Sequence, residues 1–378
     1  MKFLFACGGT AGHINPAIAV AGRLKELMPG TEILFVGARG RMEEDLVPRA
    51  GYEIRLIDIT NLQRKLNLEG IKHNLITAKN VVVSLGESKK IIKEFQPDVV
   101  VGTGGYVCFP VLRAAQKLGI PTVLHESNAV PGLTTKMLAD HVDGMMVGFE
   151  ESKNGYKHPE KVTVTGTPVR GDFRTYTKAA AKAELGIPQE KPLIVSVWGS
   201  LGAMRMNELM ADFITDTRKD SDFCLIHSAG TAGYEEMITR LKAECPGGFT
   251  QEGYDVRPYI YDMSRVMAAA DLVLCRAGAS TLSELAMMGK PAVLVPSPNV
   301  TNNHQEKNAR VLEKAGGAIV LPEPGLTSET LVKTVMELIH DTARLEKMEQ
   351  AMRGYAVPDA TERITDVVLG LAAKNQQS

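Results

Sequence analysis

The stretch Ala6-Cys7-Gly8-Gly9-Thr10-Ala11-Gly12-His13-Ile14-Asn15-Pro16 lies between two apolar runs, at residues 3–5 and 17–21. This pattern predicts a buried strand that turns through glycines into a helix. Glycines let the backbone approach a ligand closely, and the first N–H groups of a helix attract a diphosphate. His13 stands at the turn, where its ring can move a proton at neutral pH. A transferase that uses a nucleotide is the first hypothesis.

The composition excludes several classes of protein. With 378 residues, 44% of them hydrophobic, the chain is long enough for two domains. Its net charge of −1 argues against a nucleic-acid-binding surface, so we expect no nucleic acid partner. The five cysteines are scattered without a CxxC pair, which indicates neither a disulfide framework nor a zinc site. Without a membrane-spanning run or a leader, we expect a soluble or peripheral protein in a reducing cytoplasm.

Short runs rich in Val, Ile and Leu alternate with longer helical patterns along the chain. Such alternation predicts parallel sheets covered by helices on both faces. The runs interpreted as strands are residues 3–6, 33–36, 54–57, 99–101, 122–124, 144–147, 193–197, 223–226, 272–274, 292–295 and 318–321.

The two halves of the chain echo each other. The first opens with a strand and Gly8-Gly9-Thr10-Ala11-Gly12, and the second with a strand and Gly199-Ser200-Leu201-Gly202-Ala203. Farther along, a strand leading into Gly102-Thr103-Gly104-Gly105 is matched by one leading into Arg276-Ala277-Gly278. We therefore predict an α/β fold of two Rossmann-like, doubly wound parallel-sheet domains facing across a cleft, with the linker near residues 166–168. Ligands of such sheets bind beyond the carboxyl ends of the strands.

Two more segments carry candidate chemistry. His125-Glu126-Ser127-Asn128 follows a predicted strand, so it meets the two glycine loops of the first half at one sheet edge, although a lone His–Glu pair is usually structural. Arg276-Ala277-Gly278-Ala279-Ser280-Thr281-Leu282-Ser283-Glu284 is typical of a strand, a loop and a helix start. Its simple interpretation is a helix capped by Ser280 or Thr281. The functional interpretation adds a diphosphate at the helix N-terminus and ribose hydroxyls on Glu284, and both can hold together.

Two segments have weaker signals. Asp220-Ser221-Asp222 has the Asp-x-Asp spelling by which some sugar transferases hold a divalent ion, but it precedes a strand and is interpreted as a solvated loop. No other cluster has metal-ligand spacing.

Lys65, Lys72 and Lys79 recur beside an apolar stripe within residues 64–93, which predicts a basic amphipathic helix. Such a helix either packs its stripe on the sheet or, if the substrate is a lipid, lies on a membrane surface.

Together these loops resemble the MurG family of peptidoglycan N-acetylglucosaminyltransferases, which move GlcNAc from UDP-GlcNAc onto lipid I, the undecaprenyl-diphosphate-linked muramyl-pentapeptide. The resemblance implies the GT-B fold and an inverting transfer to the C4 hydroxyl of MurNAc, forming lipid II. Thr167, Ala11 and Ser127 stand where the family often has Asn, Gly and Gln. The segments in the family's order, over nearly the whole chain, are GGTAGHINPA, GTGGYVCFP, HESNAVPGLTTK, TGTPVR, GSLGAMRMNE, RAGASTLSELAMMGKPAVLVPSP and NHQEKNA.

The resemblance also implies site residues. His13 is the predicted base, and Glu126 is the second candidate. Gly104, Gly105 and Tyr106 would line the acceptor side. Donor-site residues are expected at Thr10, Ala11, Gly12, Asn128, Arg170, Ser200, Ile260, Ala279, Ser280, Thr281, Leu282, Ser283, Glu284 and Gln305.

Domain roles and partners follow from the same resemblance. Residues 1–167, with a C-terminal helix at about 358–378, would hold the acceptor and associate with the membrane, and residues 168–357 would bind UDP-GlcNAc. We expect a peripheral protein on the anionic, cytoplasmic face of the bacterial cell membrane. We expect that no metal is strictly required, because helix N-termini and Arg170 can neutralise the diphosphate. The alternatives are a GT-B transferase with another, soluble acceptor and a non-catalytic nucleotide-sugar-binding subunit.

Overall fold

The structure, a computed structural model, describes the chain except residues 60–67, 170–172, 174, 200–201, 219–221, 246–247, 249–252 and 378. Within helices, the side chains of residues 68–79 and 376–377 are also not described. The chain forms two compact units, Met1–Arg170 with Val357–Ser378, and Gly171–Ala356. The boundaries predicted from the sequence were between residues 167 and 168 and between residues 357 and 358.

The first unit is a sheet with helices on both faces. Its elements are β1 (Lys2–Ala6), α1 (Ala11–Leu27), β2 (Glu32–Ala38), α2 (Glu43–Arg49), β3 (Glu53–Ile57), α3 (Leu68–Phe95), β4 (Val99–Gly102), α4 (Cys108–Lys117), β5 (Thr122–Glu126), α5 (Leu133–Leu138), β6 (Gly144–Val147), β7 (Val162–Val164) and, from the end of the chain, α14 (Ala360–Gln377). The strands described run in the order β3-β2-β1-β4-β5-β6-β7, and all neighbours are parallel.

Strand β1 shows why both faces of this sheet are covered. Successive side chains of a strand point to opposite faces. Phe3 and Phe5 join the core beneath α1 and α14, whereas Leu4 and Ala6 join the core on the α4 side. All four are fully buried. A strand between two helical layers therefore needs apolar residues at its buried positions, as residues 3–6 show.

Helix α14 completes the first unit after the chain has passed through the second. Ile364, Val368 and Ala372 recur every four residues on one face of this helix and are buried. They pack in the same core as the apolar face of α1. The last helix is therefore part of the first unit's hydrophobic core.

The second unit repeats the design. Its elements are α6 (Lys178–Glu184), β8 (Leu193–Val197), α7 (Met204–Thr217), β9 (Cys224–Ser228), α8 (Tyr234–Glu244), β10 (Tyr254–Arg257), α9 (Met263–Ala269), β11 (Leu272–Cys275), α10 (Ala279–Met288), β12 (Ala292–Leu294), α11 (His304–Lys314), β13 (Ala318–Val320), α12 (Ser328–Ile339) and α13 (Thr342–Tyr355). The described strands are again parallel, in the order β10-β9-β8-β11-β12-β13.

The predicted doubly wound parallel sheets are confirmed, and two strands were missed. Both β7 and β10 lie at the edge of a sheet. Only alternate residues of β10 are buried, and β7 has three residues, so neither shows a continuous apolar run. Their sequences therefore gave no strand signal, unlike those of the other two edge strands, β3 and β13, which overlap the predicted runs at 54–57 and 318–321.

In each sheet the strand order reverses at one point, between β1 and β4 and between β8 and β11. Ala6 pairs with Gly102 and Val197 pairs with Cys275, so the loops that follow these strands start side by side. Ligands of doubly wound sheets bind beyond the carboxyl ends of the strands at such a point. Two of the loops singled out in the sequence thus meet in each unit.

The predicted basic helix corresponds to α3, which begins at Leu68. Lys65 lies outside the described residues, and Lys72 and Lys79 lie outside the described side chains. Val82, part of the predicted apolar stripe, is 70% exposed instead of packing on the sheet. None of the helices, as far as their residues are described, is long and apolar enough to span a membrane.

Candidate active site

The turn after β1 holds His13 by backbone groups. Its Nδ1 lies 2.8 Å from the carbonyl oxygen of Gly8. Because a carbonyl oxygen only accepts hydrogen bonds, Nδ1 carries the proton and Nε2 is the basic nitrogen. The hydroxyl of Thr103 donates to the carbonyl oxygen of His13 at 2.7 Å, which fixes the backbone as well. These two contacts fix the position of the ring and leave Nε2 as the nitrogen that can accept a proton.

The second glycine loop packs directly on the first. The N–H of Gly8 donates to the carbonyl oxygen of Gly104 at 3.3 Å. Gly104 has a φ of +121°, and a Cβ there would lie 2.4 Å from Cδ2 of His13. Gly105 has a φ of +87°, and a Cβ there would lie 2.3 Å from the oxygen of Gly8. Since no other residue fits either position, these glycines permit the contact between the two loops.

Tyr106 lies at the same edge of the sheet. Its ring approaches Gly9, where a Cβ would lie 3.9 Å from Cε1 of Tyr106. Burial raises the pKa of the Tyr106 hydroxyl, and the charge of Arg41 opposes that rise. All three residues predicted for the acceptor side thus adjoin the His13 loop: Gly104, Gly105 and Tyr106.

The Glu126 carboxylate stabilises its own loop through hydrogen bonds. Its carboxylate is buried and accepts from the backbone N–H and the side-chain amide of Asn128, at 3.1 and 2.9 Å. It also accepts from the N–H of Gly132 at 3.0 Å and the hydroxyl of Thr135 at 2.7 Å. Four donors occupy the lone pairs that a base would need. The described contacts thus give Glu126 a structural role in its loop.

His125 has a structural role. Its ring is fully buried, and burial lowers its pKa. Nε2 lies 2.8 Å from the carbonyl oxygen of Gly166, so the ring ties β5 to the segment after β7. Of the other donor-site predictions in the first unit, Thr10, Ala11 and Gly12 form the start of α1, whereas Arg170 lies outside the described residues.

A cavity of about 690 Å³ opens at the corresponding edge of the second sheet. Ile260, Thr281, Glu284 and Gln305 line it, so four predicted donor-site residues come together. Ser200 lies outside the described residues.

The start of α10 differs from the capping interpretation. The helix begins at Ala279 after Gly278, and its N-cap makes no side-chain bond. Ser280 and Thr281 therefore lie in the first turn, and the prediction that one of them caps the helix is wrong. Leu282 is buried, and the hydroxyl of Ser283 donates to the carbonyl oxygen of Ala279 at 3.1 Å.

Gln305 is oriented by a backbone contact. The N–H of Ser297 donates to Oε1 of Gln305 at 2.9 Å. Because a donor fixes the oxygen end of the amide, the NH₂ group is the end left for a ligand in the cavity. Gln305 can thus donate to a hydroxyl or phosphate oxygen.

Sequence reasoning missed an ion pair in the cavity wall. Nη1 of Arg276 lies 2.5 Å from Oε2 of Glu323 and donates to the carbonyl oxygen of Val295 at 3.0 Å. The guanidinium also lies 5.8 Å from the ring centre of Trp198. Glu323 follows the short strand β13 in a loop without a motif, so no sequence signal joined it to Arg276.

It also missed Glu43 in the first unit. This residue is fully buried at the start of α2 and accepts from the N–H groups of Gly9 and Ala38, at 3.0 and 2.9 Å. In the sequence it is one of three consecutive acids, Glu43-Glu44-Asp45, which are typical of an exposed first helical turn.

The described part of the chain contains no group of three or more His, Cys, Asp or Glu side chains arranged to hold a metal ion. Asp222, the described end of the Asp-x-Asp segment, is exposed and lies 3.0 Å from Nε2 of His340. That contact raises the pKa of His340 and lowers the pKa of Asp222.

Comparison with known proteins assigns both halves of the chain to one family. Residues 3–147 match the glycosyltransferase family 28 N-terminal domain, and residues 193–364 match its C-terminal domain. Two relatives carry the name UDP-N-acetylglucosamine–N-acetylmuramyl-(pentapeptide) pyrophosphoryl-undecaprenol N-acetylglucosamine transferase. The one from Thermoanaerobacter sp. strain X514 is 44% identical and covers 97% of this chain and 99% of its own. The one from Acetivibrio thermocellus is 41% identical and covers 97% of both.

A solved structure resembles the whole fold. The crystal structure of Acinetobacter baumannii MurG superposes with a TM-score of 0.76 at 27% identity, covering 98% of this chain and 99% of that one. This likeness and the two matching domains confirm the GT-B fold class predicted from the sequence.

Proposed function

Because the chain belongs to glycosyltransferase family 28, we propose that it transfers N-acetylglucosamine from UDP-GlcNAc to the MurNAc of lipid I, forming lipid II for peptidoglycan and cell wall biogenesis. The observation that carries this proposal is the near full-length identity of 41–44% to transferases named for that donor and acceptor. The alternative with another, soluble acceptor is not favoured, because those names specify a lipid-linked acceptor.

The reaction assigned here is an inverting displacement. The C4 hydroxyl of MurNAc attacks the anomeric carbon of GlcNAc from the face opposite UDP, so a new C–O bond forms while the bond to the diphosphate breaks. UDP leaves with the electron pair. Nε2 of His13 takes the hydroxyl proton, a role supported by the contact of Nδ1 with Gly8, which leaves Nε2 unprotonated.

The donor is assigned to the cavity of the second unit. Backbone groups of Ile260 read the uracil, and the Glu284 carboxylate accepts from the ribose hydroxyls. The NH₂ of Gln305 donates to the sugar, which is supported by the contact of its oxygen with Ser297. The first turn of α10, with Thr281, faces the diphosphate, where helix N–H groups stabilise negative charge. Arg170 and Ser200 remain part of this proposal.

Membrane association is assigned to the first unit. Val82 and Val83 of α3 and Leu133 and Met137 of α5 are 44–70% exposed, and α4 packs against both helices. Exposed apolar side chains near lysines are typical of a surface that lies on an anionic bilayer. Among the described side chains of these two helices, the exposed lysines are Lys89, Lys90, Lys93 and Lys136. Since five buried, free cysteines suit a reducing compartment, we assign the cytoplasmic face.

We predict that turnover does not require a divalent metal ion. The leaving diphosphate can be stabilised by helix N–H groups, Arg170 and Ser200 instead of a metal. Release of UDP from UDP-GlcNAc and lipid I should therefore be equal in EDTA and in Mg²⁺. Complete loss of activity in EDTA, restored by Mg²⁺ or Mn²⁺, would overturn the prediction.

Two substitutions should separate the parts of the donor site. Glu284→Ala should weaken both UDP and UDP-GlcNAc by about tenfold or more, because a charged hydrogen bond to the ribose is lost. Gln305→Ala should weaken UDP-GlcNAc and leave free UDP nearly unaffected. Calorimetric titration of each variant with both ligands measures this. Unchanged UDP affinity in Glu284→Ala would remove that residue from the site.

Replacing the proposed base should slow the chemical step. His13→Ala should lower kcat by about 10²–10⁴-fold, because general-base catalysis is lost, while the affinity for UDP-GlcNAc changes little. The acidic limb of the pH–rate profile should disappear as well. Glu126→Ala is the comparison: its main effect should be a lower melting temperature, since four donors lose their acceptor. A His13→Ala variant with near wild-type kcat would exclude His13 as the base.

The apolar residues of α5 should matter for membrane binding. Leu133→Ser combined with Met137→Ser should weaken binding to phosphatidylglycerol vesicles on the order of tenfold, because apolar area no longer enters the bilayer. Turnover of full-length lipid I should fall more than turnover of a short-chain soluble analogue. Leu27→Ser is the matched control, since Leu27 is 46% exposed at the end of α1. Equal vesicle binding by both variants would contradict the assignment.

A further inference from the structure

One peptide group of the first unit is hydrogen-bonded at both ends to side chains that titrate. Its carbonyl oxygen, that of Gly8, accepts from Nδ1 of His13 at 2.8 Å. Its N–H, that of Gly9, donates to Oε2 of Glu43 at 3.0 Å. The three groups therefore form a continuous chain from imidazole through a peptide to a carboxylate.

The fold makes room for this carboxylate at two glycines. A Cβ on Gly8 would lie 2.3 Å from Oε1 of Glu43, and a Cβ on Gly37 would lie 2.5 Å from its Cγ. Oε1 is held in turn by the N–H of Ala38 at the end of β2, at 2.9 Å. The carboxylate is thus fixed between the end of β2 and the His13 loop.

A buried carboxylate at this position is costly. Glu43 is fully buried, and no described Lys or Arg forms an ion pair with it, so the described N–H groups of Gly9 and Ala38 hold it. Desolvating a charge costs several kcal/mol unless hydrogen bonds offset it, and an apolar side chain would fill the same volume at less cost. Packing alone therefore does not account for an acid here.

Resting on the proposed role of His13 as the base, we propose that Glu43 is a positioning residue that acts on His13 through the Gly8–Gly9 peptide. The negative charge faces the N–H end of the peptide, and the imidazole N–H faces its carbonyl end. Hydrogen bonds in such a chain polarise one another, so the Gly8 oxygen becomes a better acceptor. When His13 takes a proton from the acceptor, the chain stabilises the imidazolium and keeps Nε2 directed at the substrate.

The first test is Glu43→Gln, which keeps the shape and removes the charge. With UDP-GlcNAc and lipid I, kcat should fall about 10- to 100-fold, as for loss of a charge-assisted hydrogen bond, and the KM for UDP-GlcNAc should not change. The acidic limb of the kcat profile should move to lower pH, because the imidazolium loses stabilisation. If the wild-type enzyme is active and Glu43→Gln has the same kcat and the same acidic limb, the proposal is overturned. The proposed function is then unaffected, because it rests on the activity of the wild-type enzyme.

A double-mutant cycle separates positioning from general damage to the fold. In the His13→Ala background, Glu43→Gln should cause no further loss of kcat, because its effect passes through the imidazole. An equal loss in both backgrounds would show a merely structural role. Asp143→Asn is a control for the loss of a carboxylate that accepts from the backbone: this exposed side chain accepts the N–H of Thr122 at 2.8 Å, at the opposite edge of the sheet. It should lower the melting temperature and leave the pH profile unchanged.

A spectroscopic measurement needs no turnover, and its first part needs only the wild-type protein. In ¹⁵N-histidine NMR spectra at neutral pH, His13 should be protonated on Nδ1 and unprotonated on Nε2. Its titration midpoint should be lower in Glu43→Gln than in wild type. A wild-type His13 protonated on Nε2, or equal midpoints in the two proteins, would contradict the proposed chain of hydrogen bonds.

Discussion

The contact between the two glycine loops of the first unit is the constraint on which its site depends. Gly8 donates to Gly104, and the carbonyl of Gly8 also holds the ring of His13. A side chain at Gly104 or Gly105 would occupy the space of the ring or of the Gly8 backbone. The glycines therefore allow the imidazole ring to contact a fixed backbone carbonyl, and that contact selects the tautomer protonated on Nδ1.

The two units share a topology but differ in how the loops at its switch point pack. Both sheets reverse their strand order where the loops in question begin, so each presents adjacent loop starts to a ligand. In the first unit these loops close on each other around His13. In the second they leave a cavity of about 690 Å³ with Glu284 and Gln305 in its wall. A shared backbone plan thus yields a tight contact of two loops around a histidine in one unit and an open cavity in the other.

Two buried carboxylates of the first unit, Glu126 and Glu43, differ in the groups that donate hydrogen bonds to them. Glu126 looked like a candidate base because it follows a strand next to a histidine, yet donors from its own loop occupy it. Glu43 lay in a run of acids typical of an exposed helix start, yet it is fully buried and bonded to the peptide that holds His13. Residue type suggested the first and concealed the second, because burial and hydrogen-bond partners are properties of the folded chain.

The sequence by itself determined the parallel sheets, the loops that carry chemistry and the family, because apolar runs and glycine turns are local patterns. It failed at β7 and β10, neither of which shows a continuous apolar run. Only the tertiary structure decided that Leu282 is buried while Thr281 lines the cavity, and that Arg276 pairs with Glu323. Those facts depend on contacts between distant segments, and such contacts exist only once the strands have packed side by side.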